Sequence, residues 1–512
     1  MTKPDRLMAA FLKPDSYRLR VTGVQEVGFT ETHISRVYFV GDRVYKVKKP
    51  VDFGFLDFTT LERRPHFCEQ EVVLNRRLAA EVYLGVLPIV EQKAGGFVVG
   101  GDGAAIEYAV EMKRLPADRM LDQLLERGEV DEAMMDELVR LLVDFHRRAA
   151  TGEGVDEFGE PAKLRYNAEE NFSQTEDFAA PEGRTGKAGF RSLSGQLHDF
   201  LSSKGRSFLD THESLLQERV RRGKIREGHG DLHTGNICFT DRGVVAYDCI
   251  EFTPRFRCAD VAAEIAFLAM DLDFKQFRSL SDYFVERYRS LAADLQLGQL
   301  IDYYKTYFSI VRAKVRSMAA GGHPPHSSEH ESARLEAMSY FHLAAAYDLP
   351  PTLVLMCGPP LSGKSWLAER IARPFGAVVL KSDGGNGSHE GQPAARSQDA
   401  LRDEALRVLG RASTVIVDAS LARSAERERW FAAAARAGHP AVVVWVQCDE
   451  KLIRGRLATR SADARAGSTS FDELMQGFEP PAEIPSTKLV TAASGQEPAE
   501  EIASRLIDRL VV

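Results

Sequence analysis

The chain has 512 residues, more than one hydrophobic core normally serves, so two or three domains are expected. Hydrophobic residues make up 44% and charged residues 27%, and the mean hydropathy is −0.25, a globular balance that excludes a fibrous, disordered or membrane-embedded chain. A net charge of −8 and a pI near 6.0 disfavour general affinity for nucleic acid or anionic membranes.

The six cysteines (Cys68, Cys238, Cys249, Cys258, Cys357, Cys448) form no Cys-x-x-Cys pair and lack paired histidine spacing. Free thiols in a reducing compartment are the expectation. Residues 1–10 are mixed polar and no run approaches 18 apolar residues, so neither signal peptide nor membrane span is expected and the chain reads as cytoplasmic.

Residues 21–99 read as a small β-rich lobe with one helix. Val37-Tyr38-Phe39-Val40, the turn Gly41-Asp42-Arg43 and Val44-Tyr45-Lys46-Val47 predict a tight hairpin. Lys46 sits between apolar residues of the second strand, the setting in which kinases hold the α/β-phosphates; a surface lysine beside Lys48 and Lys49 is the plainer alternative. In the helix predicted over 63–78, Glu71 is the expected ion-pair partner of Lys46, with Glu69 the next candidate. No Gly-x-Gly-x-x-Gly precedes the hairpin; residues 30–35 stand there, and their backbone N–H groups with Ser35 would cover the phosphates. A strand over 106–112 that breaks at Pro116 reads either as a hinge, with backbone near Glu111 and Met112 meeting adenine, or as an edge strand.

Further on, residues 131–148 form an amphipathic helix through Met134, Leu138, Leu141, Leu142 and Phe145. Residues 151–189 are acidic and Gly/Pro-rich, and read as a long connection with a short helix at 167–172. The stretch His229-Gly230-Asp231-Leu232-His233-Thr234-Gly235-Asn236 follows, with Asp248 closing an apolar strand 17 residues after Asp231 (248 − 231). This is the spacing of a kinase catalytic loop. An Asp accepts the proton of the attacking hydroxyl, an Asn five residues later turns toward a metal, and a second carboxylate completes a Mg²⁺ site across the ATP phosphates. Asp231 is thus the candidate base, and Asn236 and Asp248 the candidate metal ligands. Asp260 reads as an N-cap or as an acid that ties the loop down. Helices are expected over 261–270, 274–295, 300–318 and 331–347, with a solvent-facing breaker at 321–326.

Leu349-Pro350-Pro351 marks a domain boundary. A strand over 352–356 feeds Gly358-Pro359-Pro360-Leu361-Ser362-Gly363-Lys364-Ser365, the complete phosphate-binding loop, before a helix. Backbone N–H groups, including those of Gly358, Ser362 and Gly363, cradle phosphates, Lys364 reaches the β/γ oxygens and Ser365 binds Mg²⁺. Three more strands are expected at 377–380, 414–418 and 441–446. Asp383 is a candidate catalytic acid, Asp418 a candidate for the metal's water shell, and Arg456 and Arg460 share a helix face suited to phosphoryl charge. Strands alternating with helices predict a parallel sheet.

Together these stretches resemble a bacterial family in which an aminoglycoside-phosphotransferase-like kinase domain is fused to a C-terminal P-loop kinase-like domain. The likeness is carried by Glu31-Thr32-His33-Ile34-Ser35, Tyr45-Lys46-Val47-Lys48-Lys49-Pro50-Val51, Gly54-Phe55-Leu56-Asp57-Phe58, residues 229–236, Asp248-Cys249-Ile250-Glu251-Phe252 and residues 358–365. It implies an α+β protein-kinase-like bilobal domain over 1–348 (small lobe about 1–112, helical lobe about 113–348). An α/β P-loop domain with a parallel sheet follows over 349–512. Gly230 stands where protein kinases carry Arg, which implies no dependence on activation-loop phosphorylation. Relatives of the second domain follow their Ser-Asp with a hydrophobic-Arg-Lys stretch; here Gly384-Gly385-Asn386-Gly387 stands instead.

The functional expectation is an ATP- and Mg²⁺-dependent phosphotransferase with two nucleotide sites, moving the γ-phosphate to a hydroxyl of a small-molecule acceptor. An ATP-binding regulatory protein whose P-loop domain senses nucleotide is the alternative from another class. A 5′-hydroxyl polynucleotide kinase activity of the second domain is the third reading, which the acidic charge disfavours.

Overall fold

A computed structural model describes residues 3–93, 95–181, 183–382, 398–419, 421–463 and 471–511. The chain forms two compact units, one of Met1–Leu164, His212–Leu272 and Ser279–Ile301, the other of Arg165–Thr211, Asp273–Arg278 and Asp302–Val512. Among the described residues no helix is long and apolar enough to cross a membrane.

The first unit carries a six-stranded antiparallel sheet, β1 (Gly28–Glu31), β2 (Ser35–Val40), β3 (Arg43–Lys48), β4 (Tyr83–Glu91), β5 (Phe97–Val99) and β6 (Ala105–Lys113), in the order β1-β2-β3-β6-β4-β5. The β2–β3 hairpin closes through Gly41-Asp42, with Val40 paired to Arg43. Alternation along β3 separates two cores. Tyr45 and Val47 join Phe11, Tyr17, Tyr38 and Ile89 on one face. Val44 meets Cys68, Val72 and Ala79 of the helix Arg63–Ala79 on the other. Lys46 and Lys48 share the face of Val44, and this places both ammonium groups under that helix.

The helical part of this unit includes Glu132–Arg148, whose cap Asp131 accepts from Met134 N at 2.9 Å. Two short antiparallel pairs flank residues 229–236. β7 (Ile225–Glu227) leads into it, and β8 (Ile237–Thr240) and β9 (Gly243–Ala246) lie between Asn236 and Asp248. β10 (Cys258–Asp260) returns to pair with β7. The region expected to be mainly a loop is a correction: Pro161–Glu176 is a 16-residue helix. Leu164, Ala168, Phe172 and Thr175 are buried at helical spacing, a period hidden by the surrounding Gly and Pro content.

In the second unit a five-stranded sheet, β11 (Leu353–Cys357), β12 (Val378–Lys381), β13 (Val415–Asp418), β14 (Ala441–Gln447) and β15 (Leu489–Ala493), runs in the order β12-β13-β11-β14-β15. Every pairing is parallel. Its strands are near-continuous apolar runs because both faces are covered. The closing helix Ala499–Leu510 is tied within this unit to residues far earlier in the chain. Arg334 reaches Glu501 at 2.8 Å and His342 meets Ser504 at 3.1 Å, while Arg191 and Ser194 bond Glu501 and Asp508. The P-loop sheet therefore shares its compact unit with helices that precede residue 349.

Candidate functional sites

Lys46, Glu71 and Asp248 come together at the floor of the first unit's sheet. Lys46 Nζ lies 2.8 Å from Glu71 Oε1 and 2.5 Å from Asp248 Oδ1. Glu69, the other candidate, faces solvent. Burial alone would raise the Glu71 carboxyl, but the ammonium groups of Lys46 and Lys48 overcome it and hold the group down to about 2. Burial opposes the charge on Lys46 too, yet Asp248 and Glu71 raise its pKa well above the usual lysine value. Asp248 has a left-handed backbone (φ 65°), set by its N–H donating to Tyr83 Oη at 3.1 Å. The next N–H, of Cys249, donates to Asn75 Oδ1 at 2.8 Å, and Asn75 sits one turn after Glu71. One helix thus orients both the lysine's partner and the segment that carries Asp248.

Asp231 and Asn236 meet each other on the loop between β7 and β8. Asn236 Nδ2 donates to Asp231 O at 3.0 Å, which leaves Oδ1 of the same amide as an oxygen ligand for a hard cation. The loop is braced from below. His229 is fully buried; its Nδ1 accepts from Asp231 N at 3.2 Å, so Nε2 carries the proton donated to Tyr247 O at 2.9 Å. Burial lowers the His229 pKa, in keeping with that neutral tautomer. Glu264 accepts from His229 N at 2.6 Å and from His146 Nε2 at 2.9 Å. Asp271 takes both the N–H and the hydroxyl of Thr234, at 2.9 and 2.6 Å. Gly230 has φ 84°, and a Cβ there would lie 2.7 Å from Phe256 O, so no side chain fits where protein kinases carry Arg.

Asp260 caps the helix Val261–Phe274, as expected, while its ion pair is with Arg219 of the helix Glu213–Arg221 and not with residues 229–236. It accepts from Ala262 N at 2.8 Å at the helix start, and it takes a bidentate contact from fully buried Arg219 at 2.8 and 2.6 Å, which ties the strand paired to β7. Ser35 lies in register with Lys48, fully buried, and its hydroxyl has no hydrogen-bond partner among the described residues. The Ile34 and Ser35 N–H groups are taken by Thr32 Oγ1 at 3.4 and 3.0 Å. Glu111 and Met112 are registered between β3 and β4, so the backbone proposed to meet adenine is committed to the sheet.

In the second unit Lys364 begins the helix Lys364–Phe375, with Gly363 as its N-cap. Gly358 (φ 153°) lets the loop pass 2.6 Å from Val446 O, measured from the Cβ it lacks. Lys364 Nζ folds onto Gly358 O and Pro359 O at 2.9 and 3.0 Å. Ser362 is fully buried with its hydroxyl unpartnered among the described residues, and Ser365 faces solvent at the helix N-terminus. An orphaned hydroxyl one residue before the N-cap of a helix fits a bound phosphate, although the Ser362 N–H is itself donated to Pro359 O at 3.2 Å. Arg456 reaches this loop, its Nη1 lying 2.7 Å from Leu361 O and 3.1 Å from Ser494 Oγ. Asp418 ends β13, in register with Lys381 of β12 and one strand from the loop. Arg460 lies in the helix Glu450–Asp463, and Asp383 falls outside the described residues.

Sequence reasoning missed Lys48, Glu251 and Glu264. For Lys48 the signal was present, since two residues along a strand return to the same face. Glu264 carried none, because its partners are the His229 N–H 35 residues away and the His146 ring 118 residues away.

The family model described as AAA domain matches residues 353–481. Uncharacterized proteins of Mycobacterium bovis (Mb2027c) and of Mycobacterium tuberculosis strains CDC 1551 (MT2060) and H37Rv (Rv2004c) are each 31% identical over 363 residues, covering 71% of this chain and 68% of theirs. Among solved structures, a choline/ethanolamine kinase family protein from Mesorhizobium loti aligns with a TM-score of 0.41 and 13% identity over 66% of this chain and 94% of its own. A gluconokinase from Sinorhizobium meliloti 1021 aligns with a TM-score of 0.24 and 20% identity over 32% and 92%. The fold itself is read from strand order and loop geometry. The chain belongs to the family of these mycobacterial proteins, and it joins a protein-kinase-like bilobal region to a C-terminal P-loop domain.

Proposed function

We propose that the chain is an ATP-dependent phosphotransferase with two nucleotide sites, transferring the γ-phosphate to a hydroxyl of a small-molecule acceptor. The observation that supports it best is Lys46 held between Glu71 and Asp248 at 2.8 and 2.5 Å. Lys46 holds the α/β-phosphates, Asn236 and Asp248 supply oxygens to Mg²⁺, and Asp231 accepts the acceptor's proton. When bound, Mg²⁺ neutralises charge on the β/γ oxygens. Among the described residues no group of three or more His, Cys, Asp or Glu could hold a metal ion. Mg²⁺ requires none, since one or two protein oxygens and substrate phosphates suffice.

At the second site the N–H groups of Gly363, Lys364 and Ser365 at the helix start, with the Lys364 ammonium, bind a triphosphate tail, and Ser365 and Asp418 would hold its metal. Arg456, already on the loop, balances phosphoryl charge. The test is ADP release across a panel of hydroxyl metabolites, with Asp231→Asn and Lys364→Met in parallel. Asp231→Asn should lower the acceptor-dependent rate by about 10²-fold or more. A change of only a few-fold would remove Asp231 as the base. Lys364→Met should abolish the nucleotide consumption that survives Asp231→Asn.

A further inference from the structure

A second lysine two residues after Lys46 has no part in that chemistry. Lys48 is fully buried; its Nζ lies 2.7 Å from Glu71 Oε2, bonds Glu251 Oε1, and stands 4.8 Å from the centre of the Phe58 ring. Each oxygen of Glu71 is therefore held by a different lysine, Oε1 by Lys46 and Oε2 by Lys48. Glu251 is also buried, three residues after Asp248 (251 − 248), so Lys48 joins the helix carboxylate to the segment carrying the metal ligand. Its ammonium is fully enclosed and committed to these two carboxylates. A buried chain of charges is also a poor source of stability, because desolvation cancels most of the attraction. Fixing geometry is what such an arrangement does well.

Resting on the reading of the first site as a magnesium-nucleotide pocket, we propose that Lys48 and Glu251 are a positioning pair for that pocket. Lys46 must exchange Asp248 for phosphate when nucleotide arrives, and this withdraws one of its two anchors. Glu71 keeps its orientation through the exchange because Lys48 holds its other oxygen. Asp248, released by Lys46, stays in place because Glu251 is tied to the same lysine, with Cys249 N–H on Asn75 as a second tie.

The experiment is a double-mutant cycle on the full chain in a Lys364→Met background, so that only the first site turns over. Glu71→Gln is introduced with and without the charge-balanced change Lys48→Met/Glu251→Gln, and kcat/KM for ATP is read per folded protein. Glu71→Gln should cost about tenfold or more alone, and less than about threefold once Lys48 and Glu251 are gone, because the carboxylate is then no longer oriented. An equal cost in both backgrounds, or a double variant with a lowered melting temperature and unchanged kcat/KM, overturns the proposal.

Should the double variant fail to fold, Glu251→Gln alone keeps Lys48 on Glu71. Hydrogen exchange over residues 248–252 should then rise about tenfold, and unchanged exchange also overturns the proposal. If nucleotide affinity at this site were indifferent to Lys46→Met, the magnesium-nucleotide reading would fall instead, while the exchange measurement still decides whether Glu251 ties the segment.

Discussion

Glu264 braces the catalytic loop, and replacing it by Gln isolates the value of its charge. Its carboxylate accepts from His229 N at 2.6 Å, from Gly230 N at 3.4 Å and from His146 Nε2 at 2.9 Å. Burial would raise its pKa, but His146 and the backbone N–H of His229 overcome that and hold it at about 2 against an ordinary 4.5. At 1.36 kcal/mol per unit, that gap makes the ionised group worth about 3 kcal/mol to the folded state. Glutamine keeps one acceptor for the loop amides, so about 3 kcal/mol is the upper bound of the loss. In hydrogen exchange at pH 7, protection of the His229 and Gly230 amides should fall by up to about 100-fold. Because the folded pKa is the lower one, the contribution is complete above about pH 4.5 and fades as pH falls toward 2. The difference between wild type and Glu264→Gln should shrink over that window. A change below about threefold at pH 7, or a difference that grows on acidification, would refute the reasoning.

Gly230→Ala places a Cβ 2.7 Å from Phe256 O at φ 84°; the backbone penalty alone is about 1–2 kcal/mol, and the loop must also shift. Turnover at the first site should drop together with thermal stability, and wild-type turnover would show that this close approach does not position Asp231. Arg219→Met leaves Asp260 and Asp294 buried without the guanidinium that contacts both at 2.6 Å. A loss of about 3–5 kcal/mol in denaturant unfolding is expected, and a loss under about 1 kcal/mol would count against it.

Periodicity made several elements legible before any coordinates. The β2–β3 hairpin, the helix Arg63–Ala79 and the first four strands of the parallel sheet follow from residues that alternate or run apolar between turn signals. Glu71 was separable from Glu69 only in three dimensions, because a helix register decides which of two acids two residues apart points inward. The helix Pro161–Glu176 was expected only over 167–172, since its apolar stripe of Leu164, Ala168 and Phe172 was diluted by loop-forming neighbours. Ser35 looked open in the sequence and is enclosed in the structure, because its register opposite Lys48 turns it into the sheet.

By itself the sequence determined the chemistry-bearing motifs: residues 229–236 with Asp248, and residues 358–365 after a strand. Such motifs are local, and their spacing is set by loops that one short stretch must form alone. Only the tertiary structure decided that Lys46 and Lys48 share one carboxylate, that Glu264 holds the backbone of residues 229–230 and Arg219 the strand paired to β7, and that the P-loop sheet shares a compact unit with helices before residue 349. These depend on which distant side chains meet when desolvation forces every buried charge to find a partner, and spacing along the chain carries no trace of that choice.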